Sequence, residues 1–285
     1  MRTLFFSLFL LFISLNISAQ KEKINGNKIV TSEVKMTDTF HTIEVYDNFE
    51  ISIDQDSDHM INIETDSNLM EFIIAEVVDG VLKIKSEKDI RRSKALHITI
   101  SYASDLQRIA FYDKVTAKSI SALKSSNIRV EAHDNTEVFL SINADKVTSI
   151  LHGKSNAELH VNSKNTFYQV NENSELKGII TTDSLKIDLY QNGYAKLEGD
   201  VKSALIRADN DVDFYGEKLT IDKASIVAEK KSDCYVLVKN EIDISAIDQT
   251  EIYLLGEPII SITSFLHEAI LYKKNIEYTP SRLKL

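Results

Sequence analysis

The chain of 285 residues holds one cysteine, two prolines, eight glycines and no tryptophan. A single cysteine, Cys234, excludes an intramolecular disulfide framework and a cysteine metal cluster. With so little proline and glycine, turns fall to Asn, Asp, Ser and Lys, of which Asn and Asp tolerate left-handed backbone best. The absence of tryptophan weakens a sugar-stacking reading. Basic runs are also missing: 33 Lys and Arg stand against 43 Asp and Glu, for a formal net charge of −10. That balance argues against a nucleic-acid or anionic-membrane partner. No phosphate-cradling Gly-rich loop, nucleophile elbow or HExxH occurs. The sequence therefore gives no catalytic residue, no metal set and no cofactor.

Long apolar runs are confined to the N-terminus. Arg2 is followed by an apolar stretch from Leu4 to Leu15 and by Ile17-Ser18-Ala19 before Gln20. About a dozen apolar residues is short of the ~20 that a span needs. Residues 1–19 therefore read as a cleavable signal peptide, and the mature chain is expected to be exported to the periplasm, the cell surface or the medium. No later segment is long and apolar enough to span a membrane. Residues 20–35 read as a polar leader.

From Phe40 the apolar residues alternate. Ile43 and Val45, then Phe49, Ile51 and Ile53, Ile61 and Ile63, Leu82 and Ile84, and Leu96, Ile98 and Ile100 mark half-buried strands. Breaks at Tyr46-Asp47-Asn48, Asp66-Ser67-Asn68 and Asp79-Gly80 carry turn residues. Asn68 to Glu76 has the composition of a short helix. Asp54 to Asp58 is spaced like a calcium loop but has His59 and Thr65 where the loop needs Gly and Glu, so it reads as a solvated hairpin tip.

Beyond residue 105 a short polar turn recurs. Its centres are Asp113, Asp134, Gly153, Glu172, Gln191, Asn210, Lys230, Asp248 and His267, a period of about nineteen residues. Two positions before the centres stand Phe111, Ala132, Leu151, Val170, Leu189, Ala208, Ala228, Ala246 and Phe265. Four positions after them stand Ala117, Val138, Ala157, Leu176, Ala195, Phe214, Cys234, Ile252 and Leu271. Every one is apolar, against 43% for the whole chain. In most coils at least one of the two anchors is alanine, as two positions sharing one core layer require. A fixed period of this size with strand-like columns marks an all-β solenoid, a parallel β-helix with two or three short strands per coil. Cys234 falls in an inward column and reads as a small buried apolar residue.

Phe40 to Ile53, Ile63-Glu64-Thr65, Val78 to Ile84 with the strand Ile98-Thr99-Ile100, and Tyr253-Leu254-Leu255-Gly256-Glu257-Pro258 together resemble the GIN-domain family. These are auto-transporter adhesin head domains, common in exported proteins of the Bacteroidetes. The resemblance covers residues 36–273 and implies a single-stranded right-handed parallel β-helix. It makes 36–273 one domain, with N-terminal strands over 36–105 and repeated coils over 106–273. Residues 274–285 are left as a C-terminal cap or tail. The chain departs from the family at its turns, where Gly-Ser-Gly is replaced by His133-Asp134-Asn135, His152-Gly153-Lys154 and Asp209-Asn210-Asp211.

Stacked turns bring side chains from successive coils together. His133 beside His152, with Asp134 near, suggests the start of a metal or acid–base set, but a full set is not evident and a hydrated polar ridge is the plainer reading. Asp209, Asp211 and Asp213 form the densest acidic group. Tyr190, Tyr194, Tyr215 and Tyr235 offer aromatic surface. The candidate binding residues are His133, Asp134, His152, Tyr190, Asp209 and Asp211. The expected function is a non-enzymatic exported solenoid that binds an extracellular glycan or a surface protein. The alternatives are a β-helix carbohydrate-active enzyme, a polysaccharide lyase or hydrolase, and a structural envelope scaffold.

Overall fold

The computed structural model describes residues 21–275. The expected signal peptide, and all but the first two residues of the expected cap or tail, lie outside the described residues. Strands are nearly the only regular structure among the described residues. The N-terminal part holds β1 (Lys23–Asn25), β2 (Val30–Met36), β3 (Thr42–Val45), β4 (Glu50–Gln55), β5 (Met60–Asp66), β6 (Ile73–Val78), β7 (Val81–Ser86), β8 (Asp89–Arg91) and β9 (Leu96–Tyr102). β10 (Arg108–Phe111), β11 (Thr116–Ser119) and β12 (Leu123–Ala132) lead into the long strands. These are β13 (Glu137–Leu151), β14 (Asn156–Asn171), β15 (Glu175–Tyr190), β16 (Tyr194–Asp209), β17 (Asp213–Glu229) and β18 (Asp233–Ile247). β19 (Glu251–Leu255), β20 (Ile259–Leu266) and β21 (Ile270–Lys273) are the last strands among the described residues. The Asn68–Glu76 stretch forms only a single 3-10 turn, Met70–Phe72.

The long strands stack in parallel, each one coil above the last. β14 meets β15 from Asn156 opposite Glu175 to Asn171 opposite Tyr190, so every residue lies over the one nineteen positions on. Each long strand has one corner where a residue drops out of the ladder, at Asp145, Lys164 and Asp183. A coil is therefore two-sided, with the corner at one edge and the polar turn at the other. All nine expected turn centres have positive φ. The anchors point inward and are buried, from Phe111 and Ala117 to Ala246 and Ile252. Cys234 is buried among them. The twenty-residue step between Asn210 and Lys230 enters at a register shift between Lys196 and Glu198, and the eighteen-residue step from Lys230 to Asp248 at shifts between Gly216 and Thr220 and between Ile221 and Lys223.

Chain order and stacking order part company before residue 105. β3 and β4 lie beneath β10 and β11, and β7 and β9 lie beneath β3 and β4. Asp47, with φ of 72°, is thus a further turn in the same column. Asp54 to Asp58 is not a hairpin tip: β9 lies between β4 and β5, because β4 belongs to the parallel stack while β5 runs antiparallel outside it. β2 then pairs antiparallel with β5, and β6 with β7. These antiparallel strands close the N-terminal end.

Asp66 ties that closure together. Its fully buried carboxylate accepts from the backbone N–H of Lys28 at 2.8 Å, Lys94 at 2.9 Å and Ala95 at 3.2 Å. A Cβ on Gly26 would lie 2.0 Å from its Oδ2, which is why glycine stands there. Burial would raise the Asp66 pKa, but the three backbone donors outweigh it and hold the carboxyl below its usual range. Asp66→Asn is expected to cost on the order of 2 kcal/mol in urea unfolding at pH 7. The loss is present above the unfolded carboxyl pKa and shrinks as pH falls below about 4.

Candidate functional site

Register turns outward positions into vertical columns of side chains. Just before the turns of the N-terminal half, Tyr46, Tyr112, His133 and His152 stack ring on ring at 4.6, 4.7 and 5.2 Å, with interplanar angles of 9° or less. Beside them Arg108 bridges Glu44 at 2.6 Å and Glu131 at 2.7 Å, and donates to the Tyr112 hydroxyl at 3.3 Å. Arg129 also pairs with Glu131. Lys83 lies 5.1 Å from the Tyr46 ring centre. Burial and the Glu44 carboxylate push the Tyr46 hydroxyl up to about 12. Burial, then the neighbouring His152, pull His133 below the usual imidazole value, against the opposing pull of Glu131 and Asp134.

The two histidines therefore meet as the sequence suggests, but as one layer of an aromatic stack. Asp134 does not complete a set with them. Its carboxylate accepts from the Asp113 backbone N–H at 3.1 Å, because the turn directs its side chain back toward the preceding coil. Among the described residues no group of three or more His, Cys, Asp or Glu is placed to hold a metal ion.

The second ladder is on the other side, in the C-terminal half. Tyr215, Tyr235, Tyr253 and Tyr272 stack at 4.9, 4.2 and 4.8 Å, and Tyr194 joins at 5.4 Å with a 38° tilt. Next to it Asp213 stands opposite Asp233, and Asp233 opposite Glu251. Like charges in adjacent strands repel. Burial first, and then neighbouring carboxylates, raise the pKa of both Asp213 and Asp233. Glu251 accepts from the Tyr253 hydroxyl, which raises that phenol strongly. Lys274 covers the Tyr272 and Tyr253 rings at 5.4 and 5.0 Å.

The remaining sequence candidates do not converge. Tyr190 takes part in neither ladder, being opposite Asn171 and Asp209. Asp209 pairs with Lys230 at 3.0 Å. Asp209 ends β16, Asp213 begins β17, and Asp211 lies in the turn between them, so the reversal places the three acids on three sides of one edge. Tyr253 and Tyr272 belong to the second ladder and were not singled out from the sequence. The signal was there: counting back from Tyr272 by register gives Tyr253, Tyr235 and Tyr215.

The turn edge is built in two styles. Asp47, Asp113, Asp134, Gly153 and Glu172 have positive φ at one residue, whereas Gln191-Asn192, Asn210-Asp211, Lys230-Lys231, Asp248-Gln249 and His267-Glu268 have it at two. These are the II′ and I′ turn patterns, which differ by a flip of the central peptide. The flip reverses the ladder. Asn135 donates to Asp113 and Asn173 to Gly153, toward the preceding coil. Asn192 donates to Asn210 and Asp211 to Lys230, toward the following one. Acidic side chains assist the first style, as when Glu172 accepts from the Gly153 N–H at 2.6 Å. The double-residue turns line an open groove of about 730 Å³ with Asn210, Asp211, Lys230, Lys231, Asp248 and Gln249 among its walls. Asp213, Asp233 and Glu251 do not line it. At the opposite edge charges alternate coil by coil, Asp145 with Lys164 at 2.7 Å and Asp183 with Lys202 at 2.6 Å.

His152→Asn removes the imidazole stacked beside His133 and is expected to raise the His133 pKa toward the ordinary imidazole value, read by NMR titration. Because the folded state disfavours His133 protonation, wild-type stability should fall as pH drops below about 6.5, and less so in a His133→Asn variant.

Solved structures of other proteins share this architecture. A crystal structure of a putative adhesin from Parabacteroides merdae is 15% identical, covers 90% of this chain and 100% of its own, and superposes with a TM-score of 0.67. A putative adhesin from Parabacteroides distasonis is 14% identical over 88% of this chain and 100% of its own, with a TM-score of 0.69. A putative lipid binding protein from Parabacteroides distasonis is 16% identical over 90% of this chain and 100% of its own, with a TM-score of 0.62. At these identities the likeness is one of fold. No curated protein matches the sequence. The model of the family described as "Putative auto-transporter adhesin, head GIN domain" matches residues 39–179 and 158–258, and with most of its length matched the chain belongs to that family.

Proposed function

We propose that the protein is an exported, non-enzymatic adhesin head that binds a linear polar polymer, a glycan or a protein strand, along its tyrosine-ladder side. The carrying observation is the run of Tyr215, Tyr235, Tyr253 and Tyr272 beside Asp213, Asp233 and Glu251. Rings stacked on one another hide their flat surfaces, so sugars cannot stack between them. What remains is a comb of phenol hydroxyls and carboxylates repeating once per coil, ~4.8 Å apart. Such a comb suits hydrogen bonding to successive units of an extended chain. Side chains held by their neighbours lose little further freedom on binding. The family and the expected signal peptide support export and adhesion. The three acids stand along a strand surface and not in the turn-edge groove, which favours binding over polysaccharide cleavage.

A glycan array, paired with turnover assays on every hit, tests this reading. The triple variant Y215F/Y235F/Y253F keeps the stacked rings and removes three hydroxyls. It is expected to weaken binding at least about tenfold, the equivalent of one to three lost hydrogen bonds. K164Q, at the opposite edge, should bind as the parent does. Turnover of a hit would overturn the non-enzymatic reading, and binding unaffected by the triple variant would move the site elsewhere.

A further inference from the structure

The two ends of the solenoid are finished differently. Antiparallel β5, β2 and β6 close the N-terminal end, and its outer strand β2 carries Glu33 and Lys35. At the C-terminal end β20 pairs only with β18, and no other described strand meets its second edge. From Pro258 to Leu266 the sequence has no charged residue. Ile259 is 74% exposed and Leu266 55%, both on the outward side; Ile260 at 43% and Phe265 at 38% continue the inward columns of Ile242 and Ala246. Sheet edges ordinarily carry charge, proline or a bulge against pairing. Here proline stands only before the strand, and the one irregularity, between Ile262 and Ser264, lies at its middle.

The order of residues in β20 is self-complementary. Placed antiparallel about a point between Ile262 and Thr263, Ile259 of one copy faces Leu266 of the other, Ile260 faces Phe265, and Ser261 faces Ser264. In these three pairs outward residues meet outward ones and core-column residues meet core-column ones, while at the centre Ile262, in the column of Ile244, meets Thr263, the extra residue of the irregularity. A twofold interface demands this kind of match, with each contact made twice. At the N-terminal end the outer strand β2 interleaves Glu33 and Lys35 with exposed Val34 and Met36, so it offers no uncharged strand to match β20 in head-to-tail stacking. We infer that the C-terminal coil is a dimer interface, at which β20 pairs antiparallel with β20 of a second copy and joins two solenoids tail to tail. The joint leaves both tyrosine ladders uncovered along the sides, so a dimer presents two copies of the ladder.

Sedimentation equilibrium of the mature full-length chain over a wide concentration range tests the inference. The parent is expected to dimerise reversibly. I259K/L266K sets like charges opposite one another twice and should be monomeric. I259K/L266E, at the same two positions, sets opposite charges against each other and should restore the dimer. Within one chain the two positions are seven residues apart on a strand, ~23 Å, so only pairing between copies explains a rescue. Both side chains point outward, and an unchanged far-UV spectrum and melting point verify the fold of each variant. A parent that stays monomeric, a dimer indifferent to I259K/L266K, or a failed rescue by I259K/L266E would overturn the inference. So would a monomeric parent that dimerises only when truncated after Asn275, since that would show the C-terminal segment to be the occupant.

Discussion

Parallel, in-register pairing of each coil with the next is the constraint on which everything else rests. Once Asn156 lies opposite Glu175 and Tyr194 opposite Asp213, no side chain can choose its neighbours independently. An inward residue must share a layer with others of compatible size, and an outward residue meets its counterparts every ~4.8 Å. The corner edge answers with alternating charge, Asp145, Lys164, Asp183 and Lys202. The two sides answer with aromatic rings, which stack on their own kind without electrostatic cost. Asp213, Asp233 and Glu251 break that economy by placing like charge on like charge, and their position beside the tyrosines is what singles out this side.

The turn edge shows how a chain poor in glycine makes the same reversal repeatedly. Asp, Asn, Gln, Lys, Glu and His all occupy the left-handed region there. A non-glycine residue pays for this conformation in strain, offset in part by hydrogen bonds between successive turns, backbone to backbone and carboxylate to backbone. The peptide flip between Glu172 and Gln191 leaves both turns donating away from each other. The turn edge thus has two blocks of opposite hydrogen-bond polarity, while the inward columns run through both unbroken.

The solenoid was legible because its signals are periodic. Nine turn centres and their flanking apolar columns follow from spacing alone, and the large-with-small pairing of Phe111 with Ala117 or Ala208 with Phe214 is a core-filling pattern visible in one dimension. The stacking order before residue 105 was hidden, since β3 and β4 pair with strands on both sides that are distant in sequence. The site was half legible. His133 and His152 fall in one column by counting, and so do Tyr215, Tyr235, Tyr253 and Tyr272, each five positions after its turn centre, through coils of twenty, eighteen and nineteen residues. The fate of Asp134 was not, because it depends on which backbone N–H its carboxylate meets. Nor was the change of turn style, which rests on one peptide's orientation and leaves no clear residue signature.

The register itself is open to direct measurement by cysteine pairs at outward positions. Lys177 lies opposite Lys196, and Lys196 opposite Tyr215. Adjacent parallel strands hold Cα atoms ~4.8 Å apart, within the range of about 4.4–6.8 Å for a disulfide, whereas two coils apart the separation is about twice that. Mild oxidation of K177C/K196C should therefore close a bond, lost as two free thiols by titration, while K177C/Y215C stays reduced and Cys234 remains buried and unreactive in both. A reduced K177C/K196C alongside an oxidised K177C/Y215C would contradict the stacking of nineteen-residue coils from which both the fold and the binding surface are derived.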